Sequence, residues 1–235
     1  MDISNTKGFA LLTGGTGAIG QAIARRLDAE GWNIGIAARD ASKVAQSVEG
    51  TSWLPIVMDV TKEDEVVAGF EKASEAVGRI DLLVNAAGIR TRLSPLLRLS
   101  AGAWDEQHQL HSRGAFLTSR QAMALMRRQQ SGMIVNIASI AAHRPVVPGY
   151  GGYAAAKASM VSLTKSINVE AGRYGIRATA LCPTYVDTPL WEGANMPPDS
   201  MLHVDAIARS VLFLCQLPPG TLVEVLDLTV ASRAP

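Results

Sequence analysis

Tyr153 and Lys157 stand four residues apart in the stretch YAAAKASM, whose other members are alanine or are small and apolar. If this stretch is helical, residues four apart share a face, so a phenol and an ammonium lie about one turn from each other. A free phenol ionises near ~10, too high to exchange a proton readily at neutral pH, and an ammonium within ~4 to 6 Å favours the phenolate. The pair is therefore a candidate proton donor and acceptor. Ser139 closes the apolar run IVNIAS, Ile134 to Ser139, and offers a hydroxyl at a strand end. His111, in WDEQHQLHSRGAF, adds an imidazole that titrates near neutrality. His108 lies one turn earlier, but HxxH without a carboxylate or further ligand is poor evidence for a metal, and none is assigned. Cys182 and Cys215 sit in apolar segments with no CxxC spacing and read as buried free thiols.

A second constellation is LLTGGTGAIG, Leu11 to Gly20, which joins the first apolar run directly to the first amphipathic stretch. In that place glycines let the backbone turn tightly and approach a pyrophosphate, while the helix start offers free N–H groups and a partial positive charge. The next apolar run ends IAARD. Ala38 stands where an acid commonly binds the ribose hydroxyls of NAD, and Arg39 follows. An acid would repel a 2′-phosphate and an arginine would pair with it, so NADP(H) is expected over NAD(H), with Asp40 pulling the other way.

These groups need a scaffold, and the chain alternates short apolar runs with amphipathic stretches from end to end. That alternation predicts an α/β fold, a parallel sheet with helices on both faces. Strands are expected at Phe9 to Thr13, Asn33 to Ala38, Trp53 to Met58, Asp81 to Asn85, Met133 to Ile137, Arg177 to Leu181 and Val223 to Leu228. Helices are expected at Ala18 to Glu30, Thr61 to Val77, Ala101 to Arg128, Gly152 to Arg173 and Val204 to Gln216. Gly31 and Gly78 fall at C-terminal caps, and Thr61 with Asp64 resembles an N-terminal cap. With 235 residues and no linker or repeat, one domain over 1–235 is expected. A Pro- and Gly-rich loop, part of a substrate region at about 188–203, should border a site beyond the strand ends.

Composition narrows the partners. Hydrophobic residues make up 48% and charged residues 18%, with aromatics at 5%, so the core is aliphatic. A formal net charge of +1 with scattered basic residues excludes an electrostatic footprint for nucleic acid or an anionic membrane. The N-terminal apolar run is too short for a signal peptide or span, so a cytoplasmic protein acting on a small molecule is expected.

Together these motifs resemble the short-chain dehydrogenase/reductase family, main branch, from about Phe9 to Leu228. TGGTGAIG matches its cofactor turn and MDVT, with Asp59 and Val60, its adenine-contacting motif. NAAG, Asn85 to Gly88, resembles the turn after its fourth strand, IVNIAS the strand carrying its serine, and YAAAK its YxxxK. CPTYVDTP, Cys182 to Pro189, resembles the segment that packs on the nicotinamide. The resemblance implies a Rossmann-type three-layer fold of about seven strands. It implies a cofactor site of Gly14, Thr16, Gly17, Ile19, Gly20, Arg39, Asp59, Val60, Asn85, Ala86, Gly88, Tyr153, Lys157, Pro183, Val186 and Thr188. Tyr153 becomes the acid or base, Lys157 its modulator and a ribose contact, and Ser139 the hydrogen-bond donor to the carbonyl oxygen. A homodimer or homotetramer, paired through the long helices, is also implied.

Three departures are specific to this chain. Ala18 replaces the middle glycine of the turn, with Gly17 beside it. His111 stands where the family has an asparagine that holds a water in the relay behind the lysine. Thr184 replaces the glycine after the proline, the closing VEVLDLTVASRAP lacks a glycine-rich motif, and the segment between Ser139 and Tyr153 is about one residue longer than usual. The expected activity is NADP(H)-dependent hydride transfer between nicotinamide and a ketone, aldehyde or alcohol. The alternative is an NADP(H)-binding sensor or scaffold with little turnover. A 3-oxoacyl reductase is a narrower variant, without a basic cluster to dock a carrier protein. Leu190, Trp191, Met196 and Met201, with Val146, Val147, Pro148 and Tyr150, point to an apolar or aromatic substrate; Arg90, Arg92, His143 and Arg144 are the cations near it.

Overall fold

In the computed structural model, described over residues 7–89, 94–144, 147–189 and 200–231, every apolar run expected to be a strand is one. The strands are β1 Phe9–Thr13, β2 Asn33–Ala38, β3 Leu54–Val57, β4 Leu82–Asn85, β5 Gly132–Ile137, β6 Ile176–Pro183 and β7 Val225–Leu228. They form one parallel sheet in the order β3-β2-β1-β4-β5-β6-β7. Both faces are covered, because successive strand residues point to opposite sides. Phe9 and Leu11 of β1 pack on one side with Phe70 and Met126, while Ala10 and Leu12 pack on the other with Leu27 and Val211. Each such aliphatic side chain removed from water contributes about 1.5 to 3 kcal/mol, which is what commits the run to the middle layer.

The helices are α1 Ala18–Ala29, α2 Ala41–Val48, α3 Glu63–Val77, α4 Ala101–Gln107, α5 Gly114–Gln129, α6 Gly151–Ala171 and α7 Val204–Gln216. Helix α2 was not expected. It has eight residues and buries only Val44, so its apolar period is one residue deep, but Asp40 accepts from Lys43 N at 3.1 Å and caps it. The N-cap of α3 is Lys62 with no side-chain bond, so the expected cap at Thr61 and Asp64 is not formed; Thr61 instead donates to Asp59. Gly78 ends α3 in the left-handed region as expected. Gly31 follows the C-cap Glu30 of α1.

The long helix expected from Ala101 to Arg128 is interrupted. Between α4 and α5 the residues His108–Arg113 form a π-helical turn, a wider coil that resets which side chains face inward. Such insertions concentrate at functional sites because they aim a side chain that regular helix would turn away. Here the inward residue is His111, 2% exposed.

Under the strand ends, α5 and α6 are tied to the sheet by a buried polar network. Asn85 Nδ2 donates to Ser119 Oγ at 3.1 Å and to Asn136 Oδ1 at 2.9 Å, and Asn136 Nδ2 donates to Thr164 Oγ1 at 2.9 Å. Thr118 donates to Asn85 Oδ1 at 2.7 Å. Replacing Asn136 by alanine leaves a buried Asn85 N–H without its partner and opens a void. Urea denaturation should then show a loss of about 2 kcal/mol or more. An unchanged midpoint would mean the network carries no net stability.

Candidate active site

The carboxyl ends of parallel strands form the site, at the point where the sheet order reverses between β1 and β4. Helix α6 lies across β5 and β6 with Gly152, Ala156, Lys157, Met160, Thr164, Ile167 and Ala171 as its buried stripe. Lys157 is thus a core-facing position, and its amine must find an acceptor there. It donates to the Ile137 carbonyl, at the end of β5, at 2.7 Å, and lies 3.6 Å from Met160 Sδ. Loss of solvent pulls the amine down to about 7.

Tyr153, one turn earlier, is half-buried as a residue but its hydroxyl is enclosed, with Ser139 near enough to favour its charged form. Its ring centroid is 5.8 Å from Lys157 Nζ, 5.5 Å from the His111 ring and 5.7 Å from the Tyr150 ring. The amine is expected to favour the phenolate together with the positive ring of an oxidised cofactor; in the chain by itself burial works against that. Burial raises the Tyr153 pKa above its usual value, and nearby Ser139 offsets only part of that rise. The reason is that desolvation weakens the charged form of both partners, and Lys157 is itself largely stripped of water.

Ser139 does two jobs. Its Oγ accepts from Ala141 N at 3.2 Å, capping the single turn Ile140–Ala142, and it meets the Tyr153 hydroxyl. His111 completes the group, yet neither ring nitrogen has a hydrogen-bond partner among the described residues. Burial, with the nearby Lys157 and His108, pushes its pKa down to about 2, so the ring is neutral at any working pH. It borders a cavity the size of about one water molecule, lined also by Thr13, Val60, Asn85, Leu110 and Met160.

The glycine turn fits a nucleotide diphosphate. Gly14 has φ +63°, and a Cβ there would come within 2.6 Å of Ala86 O and the Ala87 backbone; one on Gly20 would meet Gly14 O at 2.6 Å. The turn is therefore folded directly against the end of β4. Gly17 caps α1 with no side-chain bond, and the first helical turn holds no acid, which leaves its N–H groups to an anion. Thr16, Ala18 and Ile19 sit half-buried around this turn. Arg39 is exposed at the end of β2. Asp59 is half-buried beside Val60; burial opposes its ionisation, but the Thr61 hydrogen bonds and the Arg39 and Lys62 charges hold its pKa below the usual value.

The Asn85 side chain is engaged in the buried network with Ser119, Asn136 and Thr118, and its Oδ1 also accepts from Thr13 Oγ1 at 3.4 Å where β1 enters the glycine turn. Ala86 N donates to Thr13 O at 3.2 Å, and Gly88 is exposed. Pro183 ends β6, Val186 bridges to Leu202, and Thr188 Oγ1 donates to Val186 O at 3.2 Å. Asp187 N donates to Leu202 O, and Leu202 N to Tyr185 O, which ties together the two ends of the expected substrate loop. Leu190, Trp191, Met196, Val146, Arg90 and Arg92 lie outside the described residues. Among the described residues no helix is long and apolar enough to cross a membrane.

A family model for the short chain dehydrogenases matches residues 8–198. The chain belongs to the short-chain dehydrogenase family. It is 37% identical over 196 residues to a levodione reductase of Leifsonia aquatica, covering 80% of this chain and 73% of that protein. Among solved structures, an alcohol dehydrogenase of the archaeon Thermococcus sibiricus complexed with 5-hydroxy-NADP superposes with a TM-score of 0.85 at 26% identity, over 97% of this chain and 98% of that one. A 3-ketoacyl-(acyl-carrier-protein) reductase from Brucella melitensis complexed with NADH gives 0.87 at 28% identity, over 95% and 97%. This short-chain dehydrogenase is a hydride-transfer oxidoreductase with a single-domain α/β fold.

A buried Lys157 has a measurable signature in this dehydrogenase. Its pKa falls from 10.5 to about 7 on folding, so protonation destabilises the folded state. That cost is fully present below about pH 7 and fades as the pH rises toward the unfolded value. Lys157→Met should therefore gain thermal stability relative to the wild type at pH 6, and the gain should shrink by pH 9. A gain independent of pH would show that the amine is not desolvated.

Proposed function

We propose that the protein is an NADP(H)-dependent carbonyl reductase, reversibly an alcohol dehydrogenase, acting on a small apolar or aromatic ketone or aldehyde. The observation that carries this reading is the convergence of the Tyr153 hydroxyl, Ser139 and Lys157 beside a turn shaped for a diphosphate. When bound, the reduced nicotinamide supplies the hydride. Tyr153 gives its proton to the carbonyl oxygen, and Ser139 donates a hydrogen bond to the same oxygen as negative charge develops there. The raised phenol stays protonated at neutral pH and is ready to act as the acid in the reductive direction. Lys157, held on Ile137 O, would stabilise the vacated negative charge electrostatically and would be the residue to hold the nicotinamide ribose.

Gly14, Thr16, Gly17, Ile19 and Gly20 would hold the diphosphate, Asp59 and Val60 the adenine side, and the backbone of Asn85, Ala86 and Gly88 the ribose side. Pro183, Val186 and Thr188 would flank the nicotinamide. Preference for NADP(H) is supported by exposed Arg39 and by Asp40, whose carboxylate is engaged in capping α2 rather than left free at the ribose. His111 is read as a replacement for the relay group, a neutral imidazole bordering a water-sized cavity that Met160, three residues after Lys157, also lines. A cytoplasmic homodimer or homotetramer is the assembly we infer from the family.

A second reading, an NADP(H)-binding sensor with little turnover, is favoured by the His111 nitrogens and the buried Thr184 Oγ1, none of which has a partner among the described residues. The two separate cleanly. In a ketone panel followed by NADPH absorbance, Tyr153→Phe should lose about 10²-fold or more in kcat while retaining NADPH affinity. Activity untouched by that change removes Tyr153 as the acid. Absence of turnover in the wild type, with activity appearing in His111→Asn, selects the sensor.

Cofactor choice has its own measurement. Arg39→Ala should weaken NADPH binding about tenfold or more and leave NADH nearly unchanged. Equal losses for both cofactors would overturn the preference.

A further inference from the structure

The ends of β5, β6 and β7 bring a second set of side chains together on the wall of the Tyr153 pocket. Parallel register sets Cys182 of β6 against Asp227 of β7, and the turn that follows Ser139 carries His143 to the same place. An imidazole nitrogen, the Cys182 sulfur and a carboxylate oxygen of Asp227 all lie within 4.8 Å of one another. Arg144 donates to Asp227 Oδ2 at 3.0 Å. His143 Nε2 stands 3.0 Å from Oδ1 and 3.1 Å from Oδ2, but Oδ1 is enclosed and takes no hydrogen bond among the described residues.

We propose that His143 Nε2, Cys182 Sγ and Asp227 Oδ1 form a zinc-ion site that, when filled, restrains Ser139. Imidazole, thiolate and carboxylate are zinc's three ligand types, whereas calcium and magnesium take oxygen. Tetrahedral zinc with bonds of about 2.0 to 2.3 Å sets its ligand atoms about 3.3 to 3.8 Å apart. One ligand atom from each residue, all within 4.8 Å of one another, leaves shifts of about 1 Å or less to reach that spacing. His143 has the freedom to supply them, being 34% exposed in its side chain and placed at the end of a single turn. Binding sends the thiol proton to solvent with no change of oxidation state, and thiolate plus carboxylate balance the dication. Arg144, kept on Oδ2, orients the carboxylate so that Oδ1 faces the ion. The fourth position is open to water.

The link to Ser139 runs through the backbone: Ser139 caps the turn Ile140–Ala142 that His143 ends, and Ala138 N, one residue before Ser139, donates at 2.8 Å to Leu181 O, one residue before the Cys182 sulfur. An ion on that sulfur fixes the turn that presents the Ser139 hydroxyl to Tyr153. No local spacing announces this set in the sequence, since its members come from the ends of three strands.

The metal readout does not depend on the proposed activity; only the rate readout does. Full-length protein, stripped by a chelator, is titrated with Co²⁺ and followed by absorbance, and with Zn²⁺ by calorimetry. One equivalent should bind with a thiolate-to-cobalt charge-transfer band that Cys182→Ser lacks. His143→Ala and Asp227→Asn should weaken binding about tenfold or more. His143→Ala, a change at the surface, carries the test if the core variant misfolds. No charge-transfer band, or binding unaltered in His143→Ala, overturns the site. Zn²⁺ should also slow carbonyl reduction in the wild type, measured against each protein's own metal-free rate, and His143→Ala should escape. Cobalt binding with no effect of zinc on rate overturns the coupling to Ser139. A protein that reduces no carbonyl at all defeats the proposed function while leaving the cobalt band in place.

Discussion

A single amine buried against a strand end organises the functional half of this molecule. Lys157 faces the core from α6, and the Ile137 carbonyl at 2.7 Å is the acceptor that makes this tolerable. A lysine removed from water loses much of its preference for the charged form, and one good acceptor restores only part of it. The result is an amine whose charge sits on the edge of neutrality, a condition that a solvated lysine never meets. Everything near it is set by the same docking of α6: the Tyr153 hydroxyl one turn earlier, Ser139 at the end of the neighbouring strand, and the His111 ring edge-on to the phenol.

That docking is held by polar as well as apolar contacts. Asn85 and Asn136, on adjacent strands, join α5 and α6 through Ser119, Thr118 and Thr164 directly beneath the site. Buried amides are costly unless satisfied, so they permit one register of helix on sheet where aliphatic packing alone would tolerate several. Above this layer the chain keeps polar atoms without partners among the described residues, the two nitrogens of His111 and the hydroxyl of Thr184.

Much of the architecture was legible from residue order. Phe9–Thr13 and Leu82–Asn85 are runs buried on both faces, and continuous apolar runs of that length bounded by glycine or amphipathic segments fit little else. The glycine turn was legible because its constraint is local. Helix α2 was not, since one buried valine gives no period, although Asp40 before it was a usable signal. The π turn was not either. An inserted residue leaves the sequence pattern nearly helical while rotating His111 inward, and only packing against Tyr153 and Gly88 fixes which face wins.

The sequence by itself determined the layers, the strand order's raw material, the glycine turn and the pairing of Tyr153 with Lys157, because each rests on near neighbours in the chain. Tertiary structure decided the electrostatics. Whether an ammonium lowers a phenol depends on how much water both have lost, and that is set by strands and helices from separate stretches of the chain. It also decided that Asn85 supports the site from below and that His143, Cys182 and Asp227 meet, since convergence at the ends of parallel strands leaves no trace in local spacing.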